Sequence, residues 1–366
     1  MLEPILWNKY LSIMKGKLRI GIVCYPTYGG SGVVATELGI AFAEKGHEVH
    51  FIAYKKPVRL NDLNENLYFH KVNVPDYPLF SFVPYELALS TKLVGIVKKY
   101  SIDLLHVHYA IPHAYAAYMA KKMLKDQSIN IPIVTTLHGT DITLVGKDPS
   151  CKPVINYSIN NSDGISAVSK SLRDDTTKIF NISKKIDVIP NFIDINKYKK
   201  VKRNPYRGKL CQKGEKLIIH TSNFRKVKRI QDVINIFCKI NKELPSKLIM
   251  VGDGPERANI ESLTRSLCSL KDVMFIGKIP DVENVLFKAD LFLLTSEKES
   301  FGLSALEAMA SSVPVISSNA GGLPELVEDG ISGYTCGVGD IRKMAEKSLE
   351  ILDTKNISTF KKNAFD

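Results

Sequence analysis

Short apolar runs alternate with longer segments of helical period along most of this chain. Leu18-Arg-Ile-Gly-Ile-Val-Cys-Tyr25 reads as a strand, Val33 to Lys45 as an amphipathic helix closed by Gly46, and His47 to Tyr54 as a second strand. Further strands are expected at Leu67 to Val74, Ile102 to Val107, Ile131 to Leu137 and Gly164 to Val168, with helical patterns between most of them. Apolar runs of about four to eight residues between turn residues suit strands buried on both faces. Their alternation with helices predicts a mostly parallel sheet covered on both sides. A second series starts at Lys216-Leu-Ile-Ile-His-Thr-Ser222 and continues through Lys247 to Val251, Val273 to Ile276, Leu291 to Thr295 and Val313 to Ser317.

Ile189-Pro-Asn-Phe-Ile-Asp194 and the basic stretch through Lys213 lie between the two series and read as the linker. The fold class is therefore α/β, with two doubly wound domains, which also suits a chain of 366 residues. Residues 1–17 are an N-terminal extension with no assigned role, 18–190 the first domain, 191–340 the second, and 341–366 the start of a further helical segment. Two such domains facing each other would leave a cleft walled by the carboxyl ends of both sheets, where ligands of open α/β sheets bind.

Composition narrows the class. The chain is 45% hydrophobic and 24% charged, as in a soluble globular protein, and no apolar stretch approaches the roughly 20 residues of a membrane span. Glu3 and Lys9 interrupt the first residues, so no signal peptide is read there. The six cysteines show no close pair, which favours a reduced cytoplasmic compartment over a disulfide framework or a zinc site. The formal charge of +12 is concentrated at Lys199 to Lys213 and at Arg225-Lys-Val-Lys-Arg229. Without interleaved aromatics or a groove-reading motif, these charges read as a solvated surface and a site for an anionic substrate, not as a nucleic-acid interface. The same charge is compatible with peripheral contact to an anionic membrane, but not with stable insertion.

The sharpest chemistry is a pair of carboxylates in Glu299-Ser-Phe-Gly-Leu-Ser-Ala-Leu-Glu307, directly after an apolar strand. Glu299 falls on the loop leaving the strand and Glu307 inside the next helix. Helix-start amides favour phosphate, and Gly302 permits close backbone approach. A neutral polyol joined to a phosphate, such as a nucleotide-sugar, suits this set. The first turn, Tyr25-Pro-Thr-Tyr-Gly29-Gly30-Ser31-Gly32, also turns backbone N–H groups toward an anion. Its spacing is not Gly-x-Gly-x-x-Gly, so dinucleotide binding is discounted. Arg225 and Lys228, in the stretch starting at Asn223, are placed to neutralise a diphosphate as it departs; the alternative is a solvated basic helix start. Val251-Gly252-Asp-Gly-Pro-Glu256 forms a turn able to admit a base, and Asn319-Ala-Gly-Gly-Leu-Pro-Glu325 adds a tight turn at the same sheet edge. His138, before Gly139 at a strand's end, is either a sugar or phosphate ligand or a structural histidine. His106, His108 and His113 invite a metal reading, but no carboxylate or cysteine completes a ligand set, and no metal is expected.

Taken together, Glu299 to Glu307, the Gly29-Gly30 turn, His138-Gly-Thr-Asp141, Val251-Gly-Asp-Gly-Pro255 and Gly321-Gly-Leu-Pro-Glu325 resemble the retaining glycosyltransferases of family 4. That resemblance covers nearly the whole chain after Lys17. It implies the GT-B fold, two Rossmann-like domains across a cleft, with 18–190 taking the acceptor and 191–340 the UDP-sugar. A narrower likeness lies in residues 24–38, in His106-Val-His-Tyr-Ala-Ile-Pro-His-Ala114, and in Ser222-Asn-Phe-Arg225 with Val227-Lys-Arg-Ile230. These stretches are similar to family members that transfer N-acetylglucosamine from UDP-GlcNAc to the hydroxyl of L-malate, the first step of bacillithiol biosynthesis.

The resemblance implies that Glu307 holds the ribose hydroxyls and Glu299 contacts the sugar. Phe301, Gly302 and Leu303 would line the sugar or diphosphate, and His138 would bond the sugar. Gly29, Gly30, Asn223, Arg225, Lys228 and Gly252 would complete the donor site. Ser31, Tyr109 and Thr136 would take the acceptor, with Arg173 as a candidate for its carboxylate. It implies no cofactor and no metal, a cytoplasmic enzyme, and compatibility with a homodimer. No carboxylate is an obvious nucleophile, so front-face attack with retention is the economical mechanism. Relatives carry arginine where Asn223 falls, so Arg225 would substitute from a neighbouring position. The family ends in a helix crossing back to the first domain, and residues 341–366 read as that helix cut short. A lipid or polysaccharide acceptor is the alternative within the same chemistry. A nucleotide-sugar sensor or a nucleic-acid binder would lack a use for the full motif set.

Overall fold

The computed structural model describes residues 16–60, 64–74, 84–200, 210–267 and 270–366. Residues 1–15 of the N-terminal extension and most of the basic stretch after Lys199 lie outside them. The chain divides into two compact units, Met1–Pro190 and Asn191–Asp366.

The first unit holds a seven-stranded, wholly parallel sheet, with β1 Arg19–Val23, β2 Glu48–Ala53, β3 Leu67–Lys71, β4 Leu104–His108, β5 Ile133–Leu137, β6 Gly164–Ala167 and β7 Asp187–Val188. Their spatial order is β3-β2-β1-β4-β5-β6-β7. Ile20, Ile22, Val49 and Phe51 pack with Ala35 and Ala43 of helix Gly30–Glu44. On the opposite face, Val23, Leu105, Val107 and Ile133 pack against helices Tyr85–Tyr100 and Tyr115–Lys125. The alternation of β-strand side chains explains why the sequence shows continuous apolar runs here: both faces are covered.

The second unit repeats the plan with six parallel strands: β8 Lys216–Thr221, β9 Ser246–Val251, β10 Val273–Gly277, β11 Leu291–Leu294, β12 Val315–Ser318 and β13 Gly333–Cys336. Their order is β10-β9-β8-β11-β12-β13. Strand β11 is buried at every position, Leu291 and Leu293 facing one core cluster, Phe292 and Leu294 the other. Helices Ile341–Leu352 and Ile357–Phe365 place Met344, Ala345, Ile351, Leu352 and Phe360 in the first of those clusters. Lys361 also pairs with Asp290 at 2.7 Å, while the other Asp290 carboxylate oxygen accepts from the Leu217 amide.

The strand reversal comes between β1 and β4 in the first sheet and between β8 and β11 in the second. At such a switch point the neighbouring loops leave the sheet on opposite faces and open a crevice at the carboxyl ends. One expectation is corrected. Cys238, on helix Ile230–Glu243, is disulfide-bonded, whereas Cys24, Cys151, Cys211 and Cys336 are free.

Candidate active site

In the first unit the loops after β1 and β4 meet across the switch point. The turn after β1 ends at Gly29, the extended N-cap of helix Gly30–Glu44, which has no side-chain cap and no acidic residue in its first turn. Its first amides and the positive end of the helix dipole favour an anion. After β4, Tyr109 takes φ +86°, a conformation costing a side-chain-bearing residue about 1–3 kcal/mol. Hydrogen bonds hold it there. Its amide donates to the Thr136 carbonyl at 3.0 Å, and its hydroxyl donates to Ser31 Oγ at 2.8 Å. The Tyr109 ring also lies 5.3 Å from that of His138 and 5.2 Å from that of Tyr25.

Beneath Tyr109 is a buried polar network. His106 and His108 are alternate residues of β4, and their rings stack at 4.7 Å. His106 Nε2 is 2.8 Å from Thr136 Oγ1, which is also 2.8 Å from Ser166 Oγ. His108 Nδ1 is 2.8 Å from His138 Nε2, and His113 Nδ1 donates to the His108 carbonyl. Asp141 accepts from the Ala110 amide at 2.7 Å, tying the loop after β5 to the loop after β4. Burial penalises every charged form in this group. It lowers His106 and His113 to about 4, His138 to about 3 and His108 well below the usual range, with neighbouring histidines adding to the effect on His108 and His138. The same burial pushes the Asp141 carboxyl up to about 6. The histidines are therefore neutral near pH 7.

Ser31, Tyr109, Thr136 and His138 are thus brought together. Thr136 is 9% exposed and its hydroxyl already serves two neighbours, so it has one bonding position left at most. Arg173 is spent differently: its guanidinium binds Asp174 at 2.8 Å on the same helix. The sequence reading weighed His106, His108 and His113 only as metal ligands, and gave Asp141 no role of its own. They are hydrogen-bond partners, and among the described residues no group of three or more His, Cys, Asp or Glu is placed to hold a metal ion.

In the second unit the loops after β8 and β11 meet across the corresponding switch point, through charge. Lys228 Nζ lies 2.5 Å from Glu299 Oε2, with side chains 19% and 16% exposed. Ser296 Oγ donates to the same oxygen at 3.3 Å, and Thr295 Oγ1 donates to the carbonyls of Lys228 and Arg229. The Glu297 amide donates to Val227 O, so side chain and backbone both fasten the two loops. Gly302, at φ +99°, starts helix Leu303–Ala310, Phe301 is buried beside it, and Glu307 is buried within the helix. Asn223 and Arg225 are exposed at the end of β8.

Two glycines make this edge possible. Gly252 takes φ +118°, and a Cβ there would lie 1.8 Å from the Ser222 carbonyl oxygen. Gly321 takes φ +58°, with Glu299 O only 1.9 Å from such a Cβ, while the adjacent Gly322 amide donates to that oxygen at 2.9 Å. The loop after β12 therefore braces the backbone of Glu299. This arrangement can neutralise an anion with Lys228 and Arg225, and can bond hydroxyls with Glu299 and Glu307.

Comparison with known proteins fits both halves. Residues 28–197 match the model described as Glycosyltransferase Family 4, and residues 203–365 that of Glycosyl transferases group 1. The N-acetyl-alpha-D-glucosaminyl L-malate synthase of Bacillus anthracis is 48% identical over 342 residues, 93% of this chain and 89% of the relative. The chain belongs to glycosyltransferase family 4. An uncharacterized glycosyltransferase of Methanocaldococcus jannaschii is 30% identical over 83% of this chain and 80% of its own. The fold is GT-B. The Anabaena enzyme HepE, solved with UDP and glucose, superposes with a TM-score of 0.78 over 95% of this chain and 94% of its own, at 20% identity. The sucrose-phosphate synthase of Thermosynechococcus elongatus gives 0.79 over 95% and 93%, at 21% identity.

Proposed function

We propose that this chain transfers N-acetylglucosamine from UDP-GlcNAc to the hydroxyl of L-malate, with retention at the anomeric carbon. The observation that carries the reading is the 48% identity, over 93% of the chain, to the Bacillus anthracis synthase. The bonded Ser31 and Tyr109 hydroxyls and the Lys228–Glu299 pair support it, because they occupy the ligand-binding edges of the two sheets.

In this reading Glu307 holds the ribose hydroxyls, and the turn at Gly252 admits the base. Gly29 and Gly30, with Asn223, Arg225, Lys228, Phe301, Gly302 and Leu303, cradle the diphosphate and sugar. Glu299 and His138 bond the sugar, and Ser31, Tyr109 and Thr136 orient the acceptor. Arg173 gives part of its guanidinium to Asp174 and keeps further N–H groups for a malate carboxylate. The malate hydroxyl oxygen forms the bond to the anomeric carbon as the bond to the β-phosphate oxygen breaks. The hydroxyl proton passes to that departing oxygen. Lys228 and Arg225 stabilise the charge left on UDP, where fixed cations act most strongly on a developing anion. Because the diphosphate is served by fixed cations and amides, we take the reaction to run without a metal. We assign the activity to the cytoplasm; no helix among the described residues is long and apolar enough to cross a membrane.

UDP release from UDP-GlcNAc is measured with and without L-malate, in EDTA, with mass spectrometry of the product. Malate-dependent release and a glucosaminyl-malate adduct are expected. Donor binding without that product would leave the fold and overturn the acceptor.

A further inference from the structure

His108 and His138 share a 2.8 Å contact between His108 Nδ1 and His138 Nε2, and the two side chains belong to residues 1% and 9% exposed. Both are neutral near pH 7, because burial and the neighbouring histidines disfavour a second proton. A contact between two neutral imidazoles contains one N–H and one bare nitrogen, so only two arrangements exist. If His138 donates, His108 must carry its own proton on Nε2. If His108 donates, its Nε2 is bare and His138 carries its proton on Nδ1.

The surroundings choose between them. His108 Nε2 is fully buried and has no hydrogen-bond partner. A buried N–H without an acceptor is rarer than a buried acceptor without a donor. The neighbouring unpartnered atoms follow the same rule. His113 Nδ1 faces a carbonyl and must carry the proton, so its unpartnered Nε2 is bare, and the unpartnered Asp141 Oδ1 is a carboxylate acceptor; the Tyr85 hydroxyl, on a ring 6.4 Å from that of His113, is the exception. Among these imidazoles and the carboxylate, the unmet atoms are acceptors.

We infer that His108 is a positioning residue, which donates Nδ1–H to His138 Nε2 and so fixes His138 as the Nδ1–H tautomer, a hydrogen-bond donor to an oxygen of the transferred sugar. His138 then neither accepts a proton from a hydroxyl nor serves as a base. Its selectivity is for a lone pair, whether of a hydroxyl or an ether. Only the word sugar rests on the proposed function; the tautomer belongs to the free protein.

The test reads both. The full-length chain carrying 15N-histidine is examined without substrate by two-bond 1H–15N spectra, which distinguish Nδ1–H from Nε2–H. His138 is expected as Nδ1–H. His108→Leu removes the donor, so His138 should populate both tautomers. The kcat/KM for UDP-GlcNAc should then fall about tenfold, equivalent to about one hydrogen bond, with KM for malate changing less. His108→Asn, whose amide overlays the Nδ1 position, should restore the tautomer and most of the loss. Should the Leu variant fail to melt cooperatively, His108→Asp, which only accepts, should instead drive His138 to Nε2–H. A wild-type spectrum showing His138 protonated on Nε2 overturns the inference, as does a folded Leu variant with unchanged tautomer and kcat/KM. The expected tautomer in an enzyme without malate-dependent turnover would sink the proposed function alone.

Discussion

The two units solve one topological problem with opposite chemistries. In each, the loops on either side of the switch point are joined by a side-chain contact: Tyr109 to Ser31 in the first, Lys228 to Glu299 in the second. The first contact is between neutral hydroxyls, above buried histidines that burial keeps uncharged. The second is an ion pair beside the exposed Arg225. A neutral, preorganised pocket suits groups recognised by hydrogen-bond direction, such as sugar and acceptor hydroxyls. A charged edge suits a diphosphate, whose departure needs compensation at the moment of reaction. The parallel sheet supplies the location in both cases; the loops decide the chemistry.

The largest expected difference is in acid. The folded pKa values of His106, His113 and His138 lie near 4, 4 and 3 against an ordinary 6.5, and His108, His50 and His70 shift the same way. The unfolded chain therefore takes up protons first, so this stabilisation is complete above 6.5 and is lost as pH falls toward 4. Each histidine contributes a slope of at most about 1.4 kcal/mol per pH unit. Asp141 acts in the opposite sense: its pKa is raised from 3.8 to about 6, so its contribution is full below 3.8 and lost as pH rises through 6. One carboxyl does not offset the group of histidines. The second unit has only His220 shifted in this way among its described residues. Hydrogen exchange, corrected for the chemical rate, should show β4 and β5 losing protection between pH 6.5 and 4 before β8 and β11 do. Simultaneous loss would remove the electrostatic contrast.

Next comes Lys228→Ala. In the proposed reading it removes a cation from the departing diphosphate, and it leaves Glu299 without its lysine at 16% exposure. We expect kcat to fall about a hundred- to thousandfold, as for loss of one preorganised stabilising group, with a smaller change in KM for malate. A variant within threefold of wild type would move the charge-stabilising role elsewhere. Gly252→Ala follows, and it acts on stability. Its positive φ and the Ser222 oxygen at 1.8 Å from a new Cβ force the backbone to shift, for which we expect a loss of about 2–4 kcal/mol in a denaturant melt of the second unit. A loss below 1 kcal/mol would mean that the two loops approach less closely than described.

The legible part of this site was the part written in local sequence. Strand β11 followed by Glu299, Gly302 and Glu307 could be placed because an apolar run, a glycine and a helical period are contiguous. The same holds for Gly29 to Ser31 after β1. Pairings across the sheet were not legible, since Lys228 meets Glu299 and Tyr109 meets Ser31 only after the strand order brings distant loops together. His106 and His108 showed the alternation that places two residues on one face, but their partners Thr136 and His138 come from β5 and the loop after it. The ion pair of Arg173 with its neighbour Asp174 was likewise not read from the sequence.

The smallest effect is the most discriminating. Tyr109→Phe removes one hydroxyl while keeping the ring against His138 and Tyr25. The Tyr109 amide still donates to Thr136 O, and its carbonyl still accepts from the Ala114 amide, so the strained backbone stays restrained. Ser31 is half-buried and can exchange its lost partner for water. Stability should therefore change by only about 1 kcal/mol. If the paired hydroxyls orient the acceptor, KM for malate rises about five- to tenfold, equivalent to about one hydrogen bond, while KM for UDP-GlcNAc stays within twofold. Ser31→Ala should do the same, and the double variant little more than either, because the two hydroxyls act as one unit. The matching cycle on Lys228 and Glu299 should instead be read in kcat. A Tyr109→Phe effect carried by kcat and donor KM would mean that the neutral contact, like the ionic one, serves the departing group, and the division of labour between the two switch points would be lost.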